Sequence, residues 1–443
     1  MGTIFGTLVA FLIVFGILVF IHEFGHFFTA KLVGIRVEVF SFGYGKRLIG
    51  FKKGDTDYRI SLIPMGGYVK LLGEGMFEPE RELAPDDMMS KTRGARLLVM
   101  AMGSIMNILL AVVLVAVING IGVPVPEYQD QKPVIGHIDP GSPAEKAALG
   151  PEDEILSING RKVATWSDVE IAVGTKPDKV IKLEILREGR ILPVELRTES
   201  VSRYEMGYAG FRGKILTQIR MVTAGSPAEK AGLRAGDVIT AVDGKPVYFY
   251  SFIPVIERNA GREIVLSVER GGQRLDVPVT PRREGNVGKI GILQEARSVV
   301  RKYGFFAAIG ESVRANLKNV FLVIRFLKDL FTGQASTRQL GGPLEIANFS
   351  YAALRMGWIA MMSWIAVISL QLGILNLFPV PVFDGGQIFV LLLESVFRKD
   401  FSPKIRQVWL QIGFVIFVAL IVFVVLNDFV KKLPHGWNSL LPF

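Results

Sequence analysis

The chain has 443 residues, of which 50% are apolar or aromatic and 21% are charged, and its mean hydropathy is +0.38. A soluble globular protein rarely has a positive mean hydropathy, and a bundle of transmembrane helices alone would not carry 51 basic and 41 acidic side chains. Apolar and charged residues must therefore be segregated along the chain.

Few side chains are available for metal binding. The chain has no cysteine, which excludes disulfides, zinc–thiolate sites and thiol nucleophiles, so any metal must be held by histidine, aspartate or glutamate. The four histidines are His22, His26, His137 and His435. The net charge of +10 indicates an anionic partner, but no basic cluster interleaved with aromatic residues stands out. We therefore expect proximity to anionic lipid and no binding of nucleic acid.

Four long apolar stretches predict transmembrane helices. Residues 4–21 carry no charge, and a helix of that length covers roughly 27 Å, close to the thickness of a bilayer core. A signal peptide is not indicated, because no basic residue precedes the stretch. Three further stretches without lysine, arginine, aspartate or glutamate are long enough to cross a bilayer, and they comprise residues 97–123, 358–380 and 408–426.

The loops between these stretches predict their orientation. Residues 31–96 carry 12 basic side chains and residues 385–406 carry four, whereas none precedes the first span. By the positive-inside rule both loops are cytoplasmic, which places residues 124 to about 350 outside the cytoplasm. Within that region, residues 305–331 mix charged and apolar side chains at helical spacing. This pattern predicts an amphipathic helix on the membrane surface.

The external region contains a duplication. GSPAEKAALGPEDEILSING begins at Gly141 and GSPAEKAGLRAGDVITAVDG begins at Gly225, with 11 of 20 positions identical. Each copy follows an apolar strand-like stretch and ends in an Asn-Gly or Asp-Gly hairpin signal. The pattern predicts two small β-rich domains and resembles the PDZ domain in its permuted bacterial arrangement. PDZ domains bind peptides by strand addition at a sheet edge.

A glycine-containing loop stands near the expected start of the second copy. It resembles a PDZ carboxylate-binding loop, and an ordinary glycine turn is the alternative; no comparable loop is evident in the first copy. For His137, alone on an expected strand, we favour a structural role. The residues of the loop are Gly207, Tyr208, Ala209, Gly210 and Phe211.

The first span ends in the sequence HEFGH. Positions i and i+4 share one face of a helix, so His22 and His26 can reach one ion while Glu23 lies beside them to activate water. Each ionisable residue in a membrane span costs about 2.5–3.5 kcal/mol on insertion scales. Three such residues on an otherwise uncharged helix therefore indicate a bound cation.

A catalytic zinc site normally has three protein ligands and one open position. With cysteine absent, we expect the third ligand to be a carboxylate near the cytoplasmic end of another span. Asp384 meets this condition, because it follows two prolines that end the third span and precedes two glycines that permit unusual backbone geometry. A solvated aspartate in a helix-terminating loop is the alternative.

These motifs, together with the tandem PDZ-like repeats, resemble the site-2 protease family of intramembrane zinc metalloproteases, and in particular its RseP-type regulators of Gram-negative bacteria. The resemblance covers nearly the whole chain. Further matches are a PMGGYVK stretch at residues 64–70, similar to the family's membrane-reentrant β-loop, Asn107 in the second span, and a Gly-Gly-Pro at residues 341–343. The family's usual Leu-Asp-Gly is Phe-Asp-Gly here, and Gln387 stands where relatives often have histidine.

The resemblance implies Zn²⁺ held by His22, His26 and Asp384, with Glu23 as general base. It also implies that the β-loop pairs with an unwound substrate, that the PDZ-like pair excludes substrates with bulky external domains, and that a fragment of an anti-sigma-factor-type membrane protein is released into the cytoplasm. The implied location is the bacterial inner membrane, with the lipid bilayer as a further partner. The residues that would contact substrate are Asn376, Pro379, Pro381, Gly66, Gly67 and Tyr68.

The expected fold is a polytopic α-helical membrane protein of about four transmembrane helices, with a membrane-reentrant β-hairpin and two external PDZ-like α+β domains. Two alternatives compete with the protease: a membrane-anchored PDZ scaffold that does not need Asp384, and a metal transporter, which the absence of ionisable residues in the second and fourth spans disfavours. The expected segments are the first helix at 1–35, the β-loop at 36–95, the second helix at 96–124, the PDZ-like domains at 125–200 and 201–285, the amphipathic region at 286–350, the third helix at 351–386, and the connection, fourth helix and tail at 387–443.

Overall fold

The computed structural model describes residues 2–73, 83–431 and 433. The chain forms two compact units. We call them the membrane unit (Met1–Gly122, Lys302–Leu327 and Leu340–Phe443) and the repeat unit (Val123–Arg301 and Lys328–Gln339). The expected C-terminal tail lies almost entirely outside the described residues.

The membrane unit begins with two long helices joined through a β-hairpin. Thr92 caps the second helix, because its side chain accepts a hydrogen bond from the Ala95 amide. Gly25 allows the two helices to approach closely, since a Cβ there would lie 2.8 Å from the backbone carbon of Met102. The elements are α1 (Gly2–Leu32), β1 (Val37–Lys53), β2 (Thr56–Leu71) and α2 (Arg93–Ile121), with a short 3₁₀ helix at Met88–Ser90.

The first half of the repeat unit contains the first copy of the duplication. A four-stranded antiparallel sheet in the order β6-β5-β7-β8 encloses an apolar core that includes Trp166 and Ile181. The elements are β3 (Val123–Pro126), β4 (Ile135–Ile138), α3 (Pro143–Lys146), β5 (Glu154–Ile158), β6 (Arg161–Lys162), α4 (Trp166–Gly174), β7 (Val180–Arg187), β8 (Arg190–Arg197), β9 (Glu199–Val201), β10 (Met206–Tyr208) and β11 (Phe211–Gly213).

The second copy repeats this order element for element. Its sheet runs β16-β15-β13-β12-β19, with β14 paired to β13, around a core that includes Phe252 and Leu266. After it, β20 pairs with β3. The elements are β12 (Thr217–Val222), α5 (Pro227–Lys230), β13 (Val238–Val242), β14 (Lys245–Pro246), α6 (Phe249–Arg258), β15 (Ile264–Arg270), β16 (Gln273–Val279), β17 (Arg282–Glu284), β18 (Val287–Lys289), β19 (Ile292–Ala296) and β20 (Ser298–Arg301).

The domain boundaries differ from those expected at 200 and 285. The last strand of each copy returns to its first strand, because β11 pairs with β4 and β19 pairs with β12. Repeat domain 1 therefore spans residues 135–213 and repeat domain 2 spans residues 217–296. This pairing joins residues that are far apart along the chain, and no local pattern in the sequence marks it.

The glycine-containing loop at residues 207–211 belongs to repeat domain 1 and not, as expected, to the second copy. It closes the domain, where Gly210 O accepts a hydrogen bond from the Asp139 amide and Ala209 O accepts one from the Ala144 amide. A counterpart exists in repeat domain 2 at residues 288–292, where Gly291 O and Ile290 O accept the equivalent bonds. Both Gly210 and Gly291 have positive φ, so the two loops share a backbone conformation that favours glycine.

Five helices complete the described part of the chain. The expected amphipathic helix is present at residues 305–331, and its first half packs on α2, where Ser312 Oγ donates a hydrogen bond to Val112 O at 2.6 Å. The third span ends at Asn376, earlier than the expected end at residue 380, and the connection expected at 385–406 contains most of a helix that begins at Asp384. The elements are α7 (Phe305–Phe331), α8 (Pro343–Met356), α9 (Trp358–Asn376), α10 (Asp384–Phe397) and α11 (Pro403–Val430).

The four expected spans are confirmed as helices. Among the described residues, four helices are long and apolar enough to cross a membrane, and each overlaps one predicted stretch. The last of them buries little of its surface, so most of its apolar side chains face outwards. The spans are Thr3–Leu32, Arg93–Ile121, Trp358–Asn376 and Lys404–Val430.

An ion pair between a partly exposed arginine and a buried aspartate recurs in both repeat domains. Arg187 donates two hydrogen bonds of 2.6 Å to Asp153, and Arg270 donates two of 2.7 Å to Asp237. Both carboxylates are almost fully buried, with side-chain exposures of 2% and 1%. Burial alone would raise the pKa of each aspartate, but the arginine hydrogen bonds outweigh it and hold the pKa below the ordinary value.

We expect Arg270→Leu to destabilise repeat domain 2 by about 1–3 kcal/mol, because it leaves the buried Asp237 carboxylate without its arginine hydrogen bonds. The measurement is hydrogen exchange of β13 and β15 in the detergent-solubilised chain at neutral pH. Arg282→Leu removes an exposed ion pair with Glu284 and is the control, with an expected loss of about 0–1 kcal/mol. Equal protection in the two variants would contradict the role of the Arg270–Asp237 pair.

The same ion pair predicts a pH dependence. Because the Asp237 pKa is lowered on folding, the stabilisation is fully present above the ordinary value of 3.8 and is lost as the pH falls below it. Wild-type repeat domain 2 should therefore lose exchange protection below about pH 3.8. In Arg270→Leu, the exchange protection of repeat domain 2 should depend less on pH. The comparison uses protection corrected for intrinsic exchange rates.

Candidate metal centre

The two histidines of HEFGH lie on one face of α1, one turn apart. Their Nε2 atoms are 3.3 Å from each other. The Oδ2 atom of Asp384 lies 3.2 Å from the Nε2 of His22 and 3.5 Å from that of His26. One ligand atom from each of the three side chains falls within 4.8 Å of the others. The structure therefore brings together the three residues that the sequence predicts as ligands.

Asp384 reaches the histidines because the chain turns sharply between α9 and α10. The helix α9 ends at Asn376, and the prolines of the turn prevent it from continuing. Asp384 is then the first residue of α10. Gly386 packs against the turn so closely that a Cβ there would lie 2.6 Å from Pro381 Cα. The double glycine thus allows the turn to fold back and place the carboxylate at the metal centre.

The helix α2 contacts all three predicted ligands. His26 donates its Nδ1–H to Val99 O at 2.8 Å, since a carbonyl can only accept. Ser104 Oγ donates a hydrogen bond of 3.2 Å to Asp384 Oδ2. The amide nitrogen of Asn107 lies 3.4 Å from His22 Nδ1. The second span therefore orients the predicted ligands, although it contributes none of them itself.

The donor set fits Zn²⁺. Two imidazole nitrogens and one carboxylate oxygen are ligands that zinc prefers, and three protein ligands leave one position open, as in catalytic sites. The three ligand side chains border a cavity of about 190 Å³ from which water or a substrate carbonyl could approach. Further residues lining this cavity are Glu23, Tyr44, Gly67, Tyr68 and Gln387.

Glu23 is fixed between α1 and the hairpin. Glu23 and Val69 of β2 line the same cavity. Gly67 of the same strand comes so close that a Cβ would lie 3.4 Å from Glu23 Cγ and 2.8 Å from Ser41 O. The hairpin therefore holds the predicted general base beside the predicted ligands.

The predicted substrate-contacting residues divide into two groups. Tyr68 and Gly67 line the cavity, and the amide nitrogen of Asn376 lies 3.5 Å from His22 Nε2. Pro379, Pro381 and Gly66 are not among the described residues that line it. Gly66 instead has a φ of +113°, and Pro381 packs against Gly413 of α11.

Tyr44 and Tyr68 form one wall of the cavity. Their rings stack with centroids 5.9 Å apart, and Arg59 Nη2 donates a hydrogen bond of 2.6 Å to the Tyr68 hydroxyl. Tyr44 belongs to none of the motifs that predicted the site. The only local signal for it is an aromatic residue between two glycines on an expected strand.

The predicted ligand loop at residues 207–211 lies on a groove of repeat domain 1. The groove has a volume of about 190 Å³ and runs between α4 and β11. Tyr208 donates a 2.6 Å hydrogen bond to Asp139 Oδ2, and burial together with this carboxylate raises the pKa of Tyr208 to about 12. His137 lies 3.4 Å from the same carboxylate group and stacks on Tyr250, as a structural role requires.

Three residues of α2 were missed or left without a role by sequence reasoning: Gly103, Ser104 and Asn107. The sequence signal for them was the occurrence of small and polar residues in an apolar span. A polar side chain there needs a hydrogen-bond partner, and a small residue allows a close helix contact. Gly103 leaves room for the histidines, because a Cβ there would lie 2.9 Å from His22 Cε1 and would overlap His26 Nε2.

We expect Gly103→Ala to reduce metal binding strongly, because its methyl group would occupy the space of the His26 ligand atom. The measurement is metal content of the purified chain by elemental analysis. Gly120→Ala is the matched control, since it lies in the same helix and its Cβ would meet nothing within 4 Å. Equal metal content in the two variants would show that the close approach at Gly103 is unimportant.

Comparisons with known proteins agree with this geometry. The profile of peptidase family M50 matches residues 10–420. The chain is 34% identical to "Regulator of sigma E protease" of Salmonella typhi over 97% of this chain and 99% of the relative. It is 32% identical to "Regulator of sigma-E protease RseP" of Escherichia coli K12 over 95% and 98%, and 30% identical to "Putative zinc metalloprotease" of Vibrio cholerae over 97% and 100%.

Among solved structures, the PDZ domain of an SdrC-like protein from Listeria innocua covers 18% of this chain and 96% of its own, at 23% identity and a TM-score of 0.17. That score is too low to support an argument about the fold. The family profile and the full-length relatives are sufficient without it: the chain belongs to peptidase family M50 and is a bacterial membrane zinc metalloprotease.

Proposed function

We propose that this protease cleaves single-span membrane proteins inside the bilayer and releases their cytoplasmic fragments. The observation that carries the proposal is the convergence of His22, His26 and Asp384 with Glu23 around one cavity in the membrane unit. The two histidines and Glu23 belong to a helix that carries no other charge between Ile4 and Ile21. Peptide hydrolysis at such a site takes place within or at the edge of the membrane.

The three ligands and the base have distinct roles. His22, His26 and Asp384 hold Zn²⁺, which supplies Lewis-acid polarisation of the scissile carbonyl and a lowered pKa for the attacking water. Glu23 accepts the proton of that water and returns it to the leaving amide nitrogen. Gly67 of β2 packs close to the Glu23 side chain and so restricts its position for both transfers.

Asn376 has the position of a group that binds the substrate backbone. Its amide nitrogen is near His22 Nε2, at the end of α9 where the helix gives way to the turn. From there it can donate a hydrogen bond to a substrate carbonyl next to the scissile bond. This assignment follows the family resemblance, and the 3.5 Å separation from His22 supports it.

The hairpin is suited to holding an unwound substrate. A transmembrane helix resists proteolysis because its amides are bonded internally, so the substrate must be extended at the site. Residues 67–69 of β2 border the cavity, and the edge of this strand can pair with an extended segment. The hairpin also exposes a row of apolar side chains that would be stable in lipid, namely Leu48, Ile49, Phe51, Ile60, Leu62 and Ile63.

The repeat unit acts before the chemistry, as a filter on the external side. The charge of the loops supports this orientation in the inner membrane, with the active site near the cytoplasm. Two PDZ-like domains can obstruct substrates with bulky external domains, so that only those trimmed by an earlier protease enter. Relatives carry the name regulator of sigma-E protease, which supports an anti-sigma factor as the substrate class.

We expect Glu23→Gln to abolish cleavage of a single-span reporter that lacks an external domain, while zinc remains bound, because the amide cannot accept the water proton. Asp384→Asn should lose both zinc and cleavage. The measurements are the yield of the cleaved fragment in cells and zinc content after purification. Glu152→Gln, an exposed change in repeat domain 1, is the control. Full cleavage by Glu23→Gln would exclude Glu23 as the general base.

The filter predicts that external bulk slows cleavage. A reporter with a folded domain fused to its external end should be cut more slowly than the same reporter with a short external tail, because the repeat unit would obstruct it. The measurement is the rate of fragment release by the wild-type chain, with Glu23→Gln as the background. Equal rates for the two reporters would exclude filtering by size and leave peptide binding as the role of the repeat domains.

A further inference from the structure

One helix, α2, supplies a polar contact to every proposed ligand, and for the two histidines this contact is at Nδ1, away from the metal-facing Nε2. Val99 O accepts the Nδ1–H of His26, so the tautomer of His26 is fixed with a free lone pair on Nε2. Ser104 donates to Asp384. For His22 the corresponding neighbour is the side-chain amide of Asn107. The first two contacts are chemically consistent with metal binding, whereas the third conflicts with it if the amide nitrogen is the donor.

The amide of Asn107 is fully buried, and its Oδ1 has no hydrogen-bond partner among the described residues. Its nitrogen faces His22 Nδ1 at 3.4 Å. If that nitrogen donated to Nδ1, the proton of the neutral imidazole would sit on Nε2 and point at Asp384. His22 could not then offer an Nε2 lone pair to the metal.

A flip of the amide, in which its oxygen and nitrogen exchange places, removes the conflict with metal binding and gives Oδ1 a partner, while the nitrogen takes the buried position that the oxygen had. The oxygen and nitrogen of an asparagine side chain have nearly the same shape, and the choice between them is made from the hydrogen-bonding surroundings. In the flipped state Oδ1 meets the Nδ1–H of His22, and the orphaned acceptor is satisfied. His22 then has the same tautomer as His26.

We propose that Asn107 is a positioning residue whose Oδ1 accepts the Nδ1–H of His22 and thereby presents the Nε2 lone pair to the metal. The inference rests on the proposed ligand set. The Asn107 backbone is itself anchored, since Ser369 Oγ of α9 donates to its carbonyl at 2.7 Å. Asn107 therefore links the second and third spans to the first at the level of the metal.

Outer partners of this kind orient the ligand and increase its basicity, and their loss typically weakens metal affinity about 10–100-fold. For His26 the partner is a backbone carbonyl, which no substitution can remove. For His22 it is a side chain. The Asn107–His22 contact is therefore the one place among the described residues where the orientation of a histidine ligand can be tested by mutation of its partner.

The test compares Asn107→Leu, which removes the acceptor, with Asn107→Asp, which keeps an acceptor and removes the donor. Zinc affinity is measured on the full-length chain in detergent by competition with a chelator. We expect Asn107→Leu to bind zinc about 10–100-fold more weakly, and Asn107→Asp to bind at least as tightly as wild type. The visible absorption spectrum of the Co²⁺-loaded chain should differ from that of wild type in Asn107→Leu and should match it in Asn107→Asp.

Asn316→Leu is the matched control, because Asn316 is also buried, lies in α7 and donates to Ser312 of the same helix; its zinc affinity should equal that of wild type. If Asn107→Leu does not accumulate in folded form, Asn107→Ala replaces it. Wild-type zinc affinity in Asn107→Leu would overturn the proposal. A loss of zinc affinity in Asn107→Asp as large as that in Asn107→Leu would overturn it as well. Retention of zinc by His22→Ala would instead overturn the ligand set on which the proposal rests.

Discussion

The structure of the membrane unit depends on one electrostatic constraint. Two imidazoles and a carboxylate meet at the end of a helix whose preceding turns carry no charge, in surroundings where polar groups are costly unless they are paired. A divalent cation would satisfy all three groups at once, which agrees with the membership of this chain in a family of zinc metalloproteases. The close approach of α2 at Gly103, the turn before Asp384 and the contact between β2 and Glu23 can each be understood as serving that arrangement.

The three candidate ligands could be singled out from the sequence because their signals are local or follow by elimination. HEFGH carries its own helical spacing, and the absence of cysteine together with the proline and glycine pattern around Asp384 leaves few other choices for the third ligand. Ser104 and Gly103 could not be found in this way. Their importance depends on which face of α2 meets α1, and the nearly uniform apolarity of both helices gives no amphipathic pattern from which to read that face.

In the repeat domains, too, the sequence predicts the local elements but not which distant strands pair. The duplicated segment at Gly141 and Gly225 predicts two matching folds, and the structure has them. The closing strands β11 and β19 were missed because their loops, GYAGF at 207–211 and GKIGI at 288–292, share only two glycines and are spaced more closely than the two copies of the main repeat. The pairing of the last strand with the first, together with the matching backbone hydrogen bonds, shows that these loops are equivalent.

The hairpin joins the chemistry to the handling of the substrate. Gly67 packs close to the Glu23 side chain, and Gly67 and Tyr68 of the same strand line the cavity that the candidate ligands border. A shift of β2 would therefore move the base relative to the ligands and alter the wall of the cavity at the same time. Because Glu23 is fixed from both α1 and β2, the position of the base depends on the hairpin as much as on the helix that carries it.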